Sequence, residues 1–340
     1  MKNFTKLIFL ILVILLSTIL NAEKVAVLEE VGRPDSIVFG NGYLYVLEGT
    51  TIYKYDSKTF KYKGKFGKDG EGPSEIKKIP FGGPLLVYPY DNKVYISSMA
   101  KLSVFSKDGK FEKEYKTYVF NGNYPFLNNY ITVGSEILKG KKAPVLTVYL
   151  SDNKFKKIKT LYVTDIEVGQ NAGFTFPYAS FYAIPFKDKI YLIDGLNGFS
   201  IKVFDKNGVE INSFKKPYKL KKVSGDYKDN TKKWFKTHPT WKNIYGFVKD
   251  RIKYKKTFPP IYTMDVNNDK IYVFTSKIKN ELRECIVLDL KGKELKRLFL
   301  PVKQTYGMEF NVKYTISKEG FFYLKENIDD EVIELHKSKL

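Results

Sequence analysis

One phrase recurs six times along this chain, and an internal repeat constrains a fold more tightly than any single motif. Each copy has a turn of Asn, Asp, Lys or Gly, an alternating apolar run, a polar break, a second run, another turn and a third run. The first copy reads Asn41-Gly42-Tyr43-Leu44-Tyr45-Val46-Leu47, then Ile52-Tyr53-Lys54-Tyr55-Asp56, then residues 62–66. Further copies open at Asp91, Asn128, Lys187, Asn268 and Glu319. Taking Tyr45, Tyr95, Ile131, Tyr191, Tyr272 and Tyr323 as equivalent gives steps of 36 to 81 residues, with a mean slightly above the roughly 40–50 expected of propeller blades of four antiparallel strands. Short runs rich in β-branched and aromatic residues favour strands over helices. A further run precedes each phrase, such as residues 35–39 or 261–265, and reads as the innermost strand of its blade.

The sixth copy lacks an outer strand, because only residues 337–340 follow its third run. The other end of the chain has a spare one in Lys24-Val25-Ala26-Val27-Leu28. Pairing the two closes a ring and removes an exposed sheet edge. The expected fold is therefore an all-β, six-bladed β-propeller over residues 23–340, closed by an N-terminal strand. A helical basic insertion, residues 215–260, separates blades 4 and 5.

The glycine-rich stretch Phe66-Gly67-Lys68-Asp69-Gly70-Glu71-Gly72-Pro73-Ser74-Glu75 resembles the linker of bacterial six-bladed propeller proteins related to NHL repeats. The recurring Ile-Tyr-Val, Ile-x-Val-Phe-Asp and Gly-Lys pattern is similar to the NHL blade. The resemblance spans most of residues 24–340; members of that family are mostly binding or scaffold proteins or have no assigned function, and a shared fold of this kind does not transfer chemistry.

Residues 1–22 read as an export signal: Lys2 and Lys6 precede about 14 apolar residues, and Asn21-Ala22 ends the run. An uncleaved anchor is the alternative, although a membrane span asks for about 20 such residues. Export places the protein in the periplasm or outside the cell. The lone Cys285 lies in the apolar run Cys285-Ile286-Val287-Leu288 and reads as a small core residue.

Lys and Arg outnumber Asp and Glu by 58 to 37, a formal charge of +21. Residues 215–257 hold 15 Lys and Arg against Asp226, Asp229 and Asp250, and so carry +12 of it. Both tryptophans lie there too, and Trp241, Ile244, Tyr245, Val248 and Ile252 recur at helical spacing, with Thr240 as a candidate cap. Two readings follow. A basic, aromatic lid docks an anionic surface through Lys232, Lys233, Trp234, Lys236, Trp241, Lys242, Tyr245 and Arg251. Alternatively, the aromatic stripe packs on the propeller and only the lysines meet solvent.

The expected partner is a protein or an anionic envelope component, with peripheral membrane contact compatible with the charge. Nucleic acid shares the basic and aromatic signature, but export argues against it. The chain is expected to be a monomer that needs no cofactor. Catalysis has thin support: two His and one Cys offer no metal-ligand spacing. Asp265-Val266-Asn267-Asn268-Asp269 lacks the glycine and distal glutamate of a calcium loop and reads as a turn. The enzymatic alternative is a calcium-assisted, lactonase-like hydrolase with Glu48, Asp194 and Asn197 near the central channel, as some six-bladed propellers have.

Overall fold

The computed structural model describes residues 22–77, 85–117, 122–140, 144–165, 173–178, 181–195, 198–309 and 312–340. Six four-stranded antiparallel sheets form the blades of a β-propeller, in residue ranges 36–66, 86–116, 122–165, 181–215, 261–300 and 314–338. The sixth blade has three strands from its own range and takes Glu23–Val27 as its outer strand. Glu23 pairs with Lys337 and Val27 with Glu334, so the two ends of the chain complete one sheet as expected. Each inner strand touches the inner strands of the blades on either side, and the sixth meets the first, which closes the ring.

The repeat has a physical cause. Every blade opens with a hairpin joining its inner and second strands. In blades 1, 2 and 5 both turn residues sit at positive φ, as Asn41 and Gly42, Asp91 and Asn92, and Asn268 and Asp269 do. Such turns match the right-handed twist of the strands they join and favour Asn, Asp and Gly. Alternating residues then fill the seams between blades. Tyr45, Leu47 and Ile52 of blade 1 pack against Leu85, Val94 and Phe105 of blade 2, and the Tyr45 hydroxyl donates to the Lys107 carbonyl at 3.0 Å. Comparable clusters fill the seams of blades 3 and 4, 4 and 5, 5 and 6, and 6 and 1.

Register corrects one repeat assignment. Tyr45, Tyr95, Ile131, Tyr191 and Tyr272 each lie opposite the residue two before the end of their inner strand. In blade 6 that position belongs to Phe322, opposite Thr315, whereas Tyr323 lies opposite Tyr314. A slip of one residue turns a side chain to the other face of its sheet. Phe322 is accordingly buried and Tyr323 only half-buried.

The glycine-rich linker is a structural part of the seam. Gly72 N–H donates to the Glu75 carboxylate at 2.9 Å, Ile76 N–H to the Lys68 carbonyl at 2.7 Å, and the Ile76 side chain is buried against blades 1 and 2. A Cβ on Gly67, at φ +84°, would stand 2.5 Å from the Thr50 carbonyl oxygen.

The two faces differ. Short hairpins at residues 41–42, 107–109 and 206–208 mark one, here the short-turn face. Connections between blades, and turns joining second to third strands, emerge on the other. On that face the second strand of blade 3 runs on through Glu136.

Candidate functional site: a basic lid

The connection from blade 4 to blade 5 folds into the lid. Helix α1 (Gly225–Thr237) is capped by Ser224, whose side chain accepts from Tyr227 N–H at 3.2 Å. Tyr227, Thr231 and Phe235, four residues apart, form its buried face. The helix stops at His238, whose carbonyl accepts from Trp241 and Lys242 N–H and whose ring lies 4.5 Å from Trp234. Burial pushes the His238 pKa down. A 3₁₀ turn (Lys242–Ile244), the single turn α2 (Tyr245–Val248) and a second 3₁₀ turn (Lys249–Arg251) follow. Trp241, not Thr240, precedes the first of these, and no side chain caps it.

The main helix therefore lies ahead of the His238-Pro239 break, while the 241–252 stripe makes short turns. The cause is in the sequence. Ser224 offers a side-chain cap, whereas Gly246 interrupts the later stretch. Ser224 followed by Tyr227, Trp234 and Phe235 is the signal that could have located α1.

Three between-blade connections meet in the lid. Phe174–Phe176, ahead of blade 4, pairs in parallel with Ile252–Tyr254 at the end of the lid. Tyr306 and Met308, ahead of blade 6, pack in the same cluster as Phe176, Tyr227, Phe235, Trp241 and Phe258. Trp241 is 3% exposed and meets Phe174 and Phe235 edge-on at 5.4 and 5.3 Å. Trp234 lies over Gly307, where a Cβ would stand 2.1 Å from the indole. Beneath them Arg283, fully buried, gives its guanidinium to the carbonyls of Thr275, Val302 and Lys303 and lies 3.5 Å over the Tyr262 ring. It thereby fixes the connection that carries Tyr306.

Of the expected binding residues, Trp234, Trp241 and Tyr245 thus turn inward and hold the lid together. Trp241 is buried, whereas Trp234 and Tyr245 are half-buried. Lys232, Lys233, Lys236, Lys242 and Arg251 are exposed. Lys232 reaches Asp229 at 3.5 Å, and Lys236 lies over the Tyr245 ring at 5.6 Å.

The calcium alternative gains nothing from the geometry. Glu48 and Asp194 end the second strands of blades 1 and 4, three steps apart around the ring. Glu48 accepts from Arg33 N–H, and Asp194 from the Tyr162 hydroxyl at 2.6 Å. Asn197 lies outside the described residues. Among the described residues no three His, Cys, Asp or Glu side chains come together as metal ligands.

Sequence reasoning gave Asp265 two places, the end of the inner-strand run 261–265 and the start of the turn 265–269, but no role. It lies within the inner strand of blade 5 and is the sole charged residue on the six inner strands. Tyr88, Tyr182 and Tyr314, from three other inner strands, feel its charge, and burial pushes its pKa up to about 6. Only stacking six inner strands side by side brings these groups together. A separate cleft of about 320 Å³ lies between blades 2 and 3, lined by Tyr95, Tyr115, Tyr130, Asn129 and Lys113 among others.

No family model matches the chain, and no curated protein does. Among solved structures, a Bacteroides fragilis protein named for the export expected of it superposes with a TM-score of 0.52 at 12% identity, covering 95% of this chain and 98% of its own. The β-propeller domain of Cps50 (Swd1) from Myceliophteria thermophila gives a TM-score of 0.43 at 9% identity over 93% and 99%, too remote to carry an argument. These likenesses concern the fold alone, and the NHL-type motifs stand as a resemblance. No helix among the described residues is long and apolar enough to cross a membrane.

Proposed function

We propose that the protein is an exported binding or scaffold protein that docks an anionic component of the cell envelope through its lid. One observation carries this reading: the lid packs most of its aromatics into one cluster and leaves its cations outside. Lys233, Lys236, Lys242, Lys249 and Arg251 are exposed and form no ion pair among the described residues, while elsewhere many lysines do, as Lys93 with Glu112 and Lys101 with Glu114. A rigid platform of uncompensated like charge costs self-repulsion, and an anionic partner relieves it. Among the described residues no group of three His, Cys, Asp or Glu supports the hydrolase alternative.

Reversing Lys232, Lys233, Lys236, Lys242 and Arg251 to Glu tests the reading. Retention on acidic polysaccharide, anionic vesicles and envelope extracts is expected to fall, and with it the salt dependence of binding. Unchanged retention on all three would refute it.

A further inference from the structure

We infer that the anionic partner of the lid is a phospholipid bilayer surface, entered by the phenyl ring of Phe247 between flanking cations. The inference rests on the lid reading above and adds the partner's chemistry. Phe247 is 81% exposed, the most exposed large apolar side chain among the described residues. The other lid aromatics, Tyr227, Trp234, Phe235, Trp241, Tyr245 and Tyr254, pack into one cluster. Phe247 stands in α2, between the turns that present Lys242 on one side and Lys249 and Arg251 on the other. The contact of Lys236 with Tyr245 brings the basic end of α1 alongside.

This combination discriminates among anionic partners. Protein interfaces are depleted in lysine and gather a patch of apolar residues at their centre. Segments lying in a bilayer interface instead combine Lys and Arg with Phe, Trp or Leu, the ring entering the acyl boundary while the cations hold head groups. The rest of the face sets a direction. Ile137, 69% exposed, is followed by exposed Lys139 in the turn joining the second and third strands of blade 3. Ile328, 80% exposed, occupies the corresponding turn of blade 6 beside Asp329, Asp330 and Glu331. An anionic surface therefore attracts the blade 3 turn and the lid, and repels blade 6.

Vesicle flotation of the full chain tests this, using phosphatidylglycerol mixed into phosphatidylcholine and pure phosphatidylcholine as the reference. Phe247→Ser is expected to weaken binding to the anionic vesicles by roughly tenfold or more, the order expected when a buried phenyl ring is lost. Ile328→Ser is expected to leave it unchanged. A polarity-sensitive fluorophore on Phe247→Cys is expected to brighten only on anionic vesicles, and Cys285 is too buried to compete for the label. Matching melting curves establish that the variants fold. If Phe247→Ser binds vesicles as the parent does, or the label stays dark, the bilayer inference is overturned. Should the charge reversal still abolish retention on acidic polysaccharide in that case, the lid reading survives with a glycan as partner. If neither vesicles nor polysaccharide bind, both fail.

Discussion

Lys24 Nζ lies 3.2 Å from Glu334 Oε1, joining residues 310 positions apart in the chain. The same carboxylate faces His336 at 2.8 Å and Asn327 at 3.2 Å, so one acid ties the N-terminal strand to the last strand and its turn. Contacts with His336, Asn327 and Lys24 hold the Glu334 pKa down to about 2. A carboxyl whose pKa is lower in the folded state contributes stability above its unfolded pKa and loses it as pH falls. The closure should therefore weaken from about pH 4.5 down to about 2. Urea melts across that range should show a steeper acid loss in the parent than in Glu334→Gln. Deleting residues 23–31 should abolish cooperative unfolding altogether.

The lid core makes a second prediction. Trp241→Ala should destabilise the lid by about 3–5 kcal/mol, the usual cost of emptying a buried aromatic site. Gly307→Ala should also loosen it, because the added Cβ would enter the Trp234 ring and Gly307 sits at φ +58°. Proteolysis within residues 215–260 ahead of global unfolding would register both effects. If Trp241→Ala resists protease as the parent does, the packing account is wrong.

Asp265 makes a third. Its pKa, raised to about 6, means that the fold prefers the protonated acid. Stability from this group is complete below the unfolded pKa of 3.8 and is lost as pH rises through about 6. Asp265→Asn should thus stabilise the propeller at neutral pH by on the order of 2 kcal/mol. The gain should vanish near pH 4. A gain that is the same at both pH values would contradict the burial of this carboxyl.

The path of the first strand makes a fourth. Glu23 pairs with Lys337 at the short-turn end of blade 6, and the chain reaches the lid face only after Val27. If residues 1–22 are an export signal, the mature chain begins beside this strand; N-terminal sequencing of the protein from an exporting host should then start near Glu23, and a chain that still starts at Met1 would contradict the export signal.

Much of this architecture was legible in the sequence because blades are local. Hairpin turns such as Asn41-Gly42 and alternating runs such as residues 43–47 announce themselves over a few residues. Closure was legible because a missing outer strand and a spare one are both visible. The slip between Phe322 and Tyr323 was not, since Phe-Phe-Tyr fits either register and only the Ser317–Gly320 pairing decides. In the lid, the charge was legible but the direction of the aromatics was not. Trp241 is buried against Phe174, and Trp234 lies over Gly307, both from connections far away in sequence.

The most direct test of the central claim is hydrogen–deuterium exchange of the full chain with and without the anionic surface it binds. Docking through the lid predicts new protection across residues 225–254, centred on α2, and none at the short turns 107–109 and 206–208. Protection confined to those short turns, with the lid exchanging as in the free protein, would contradict the account.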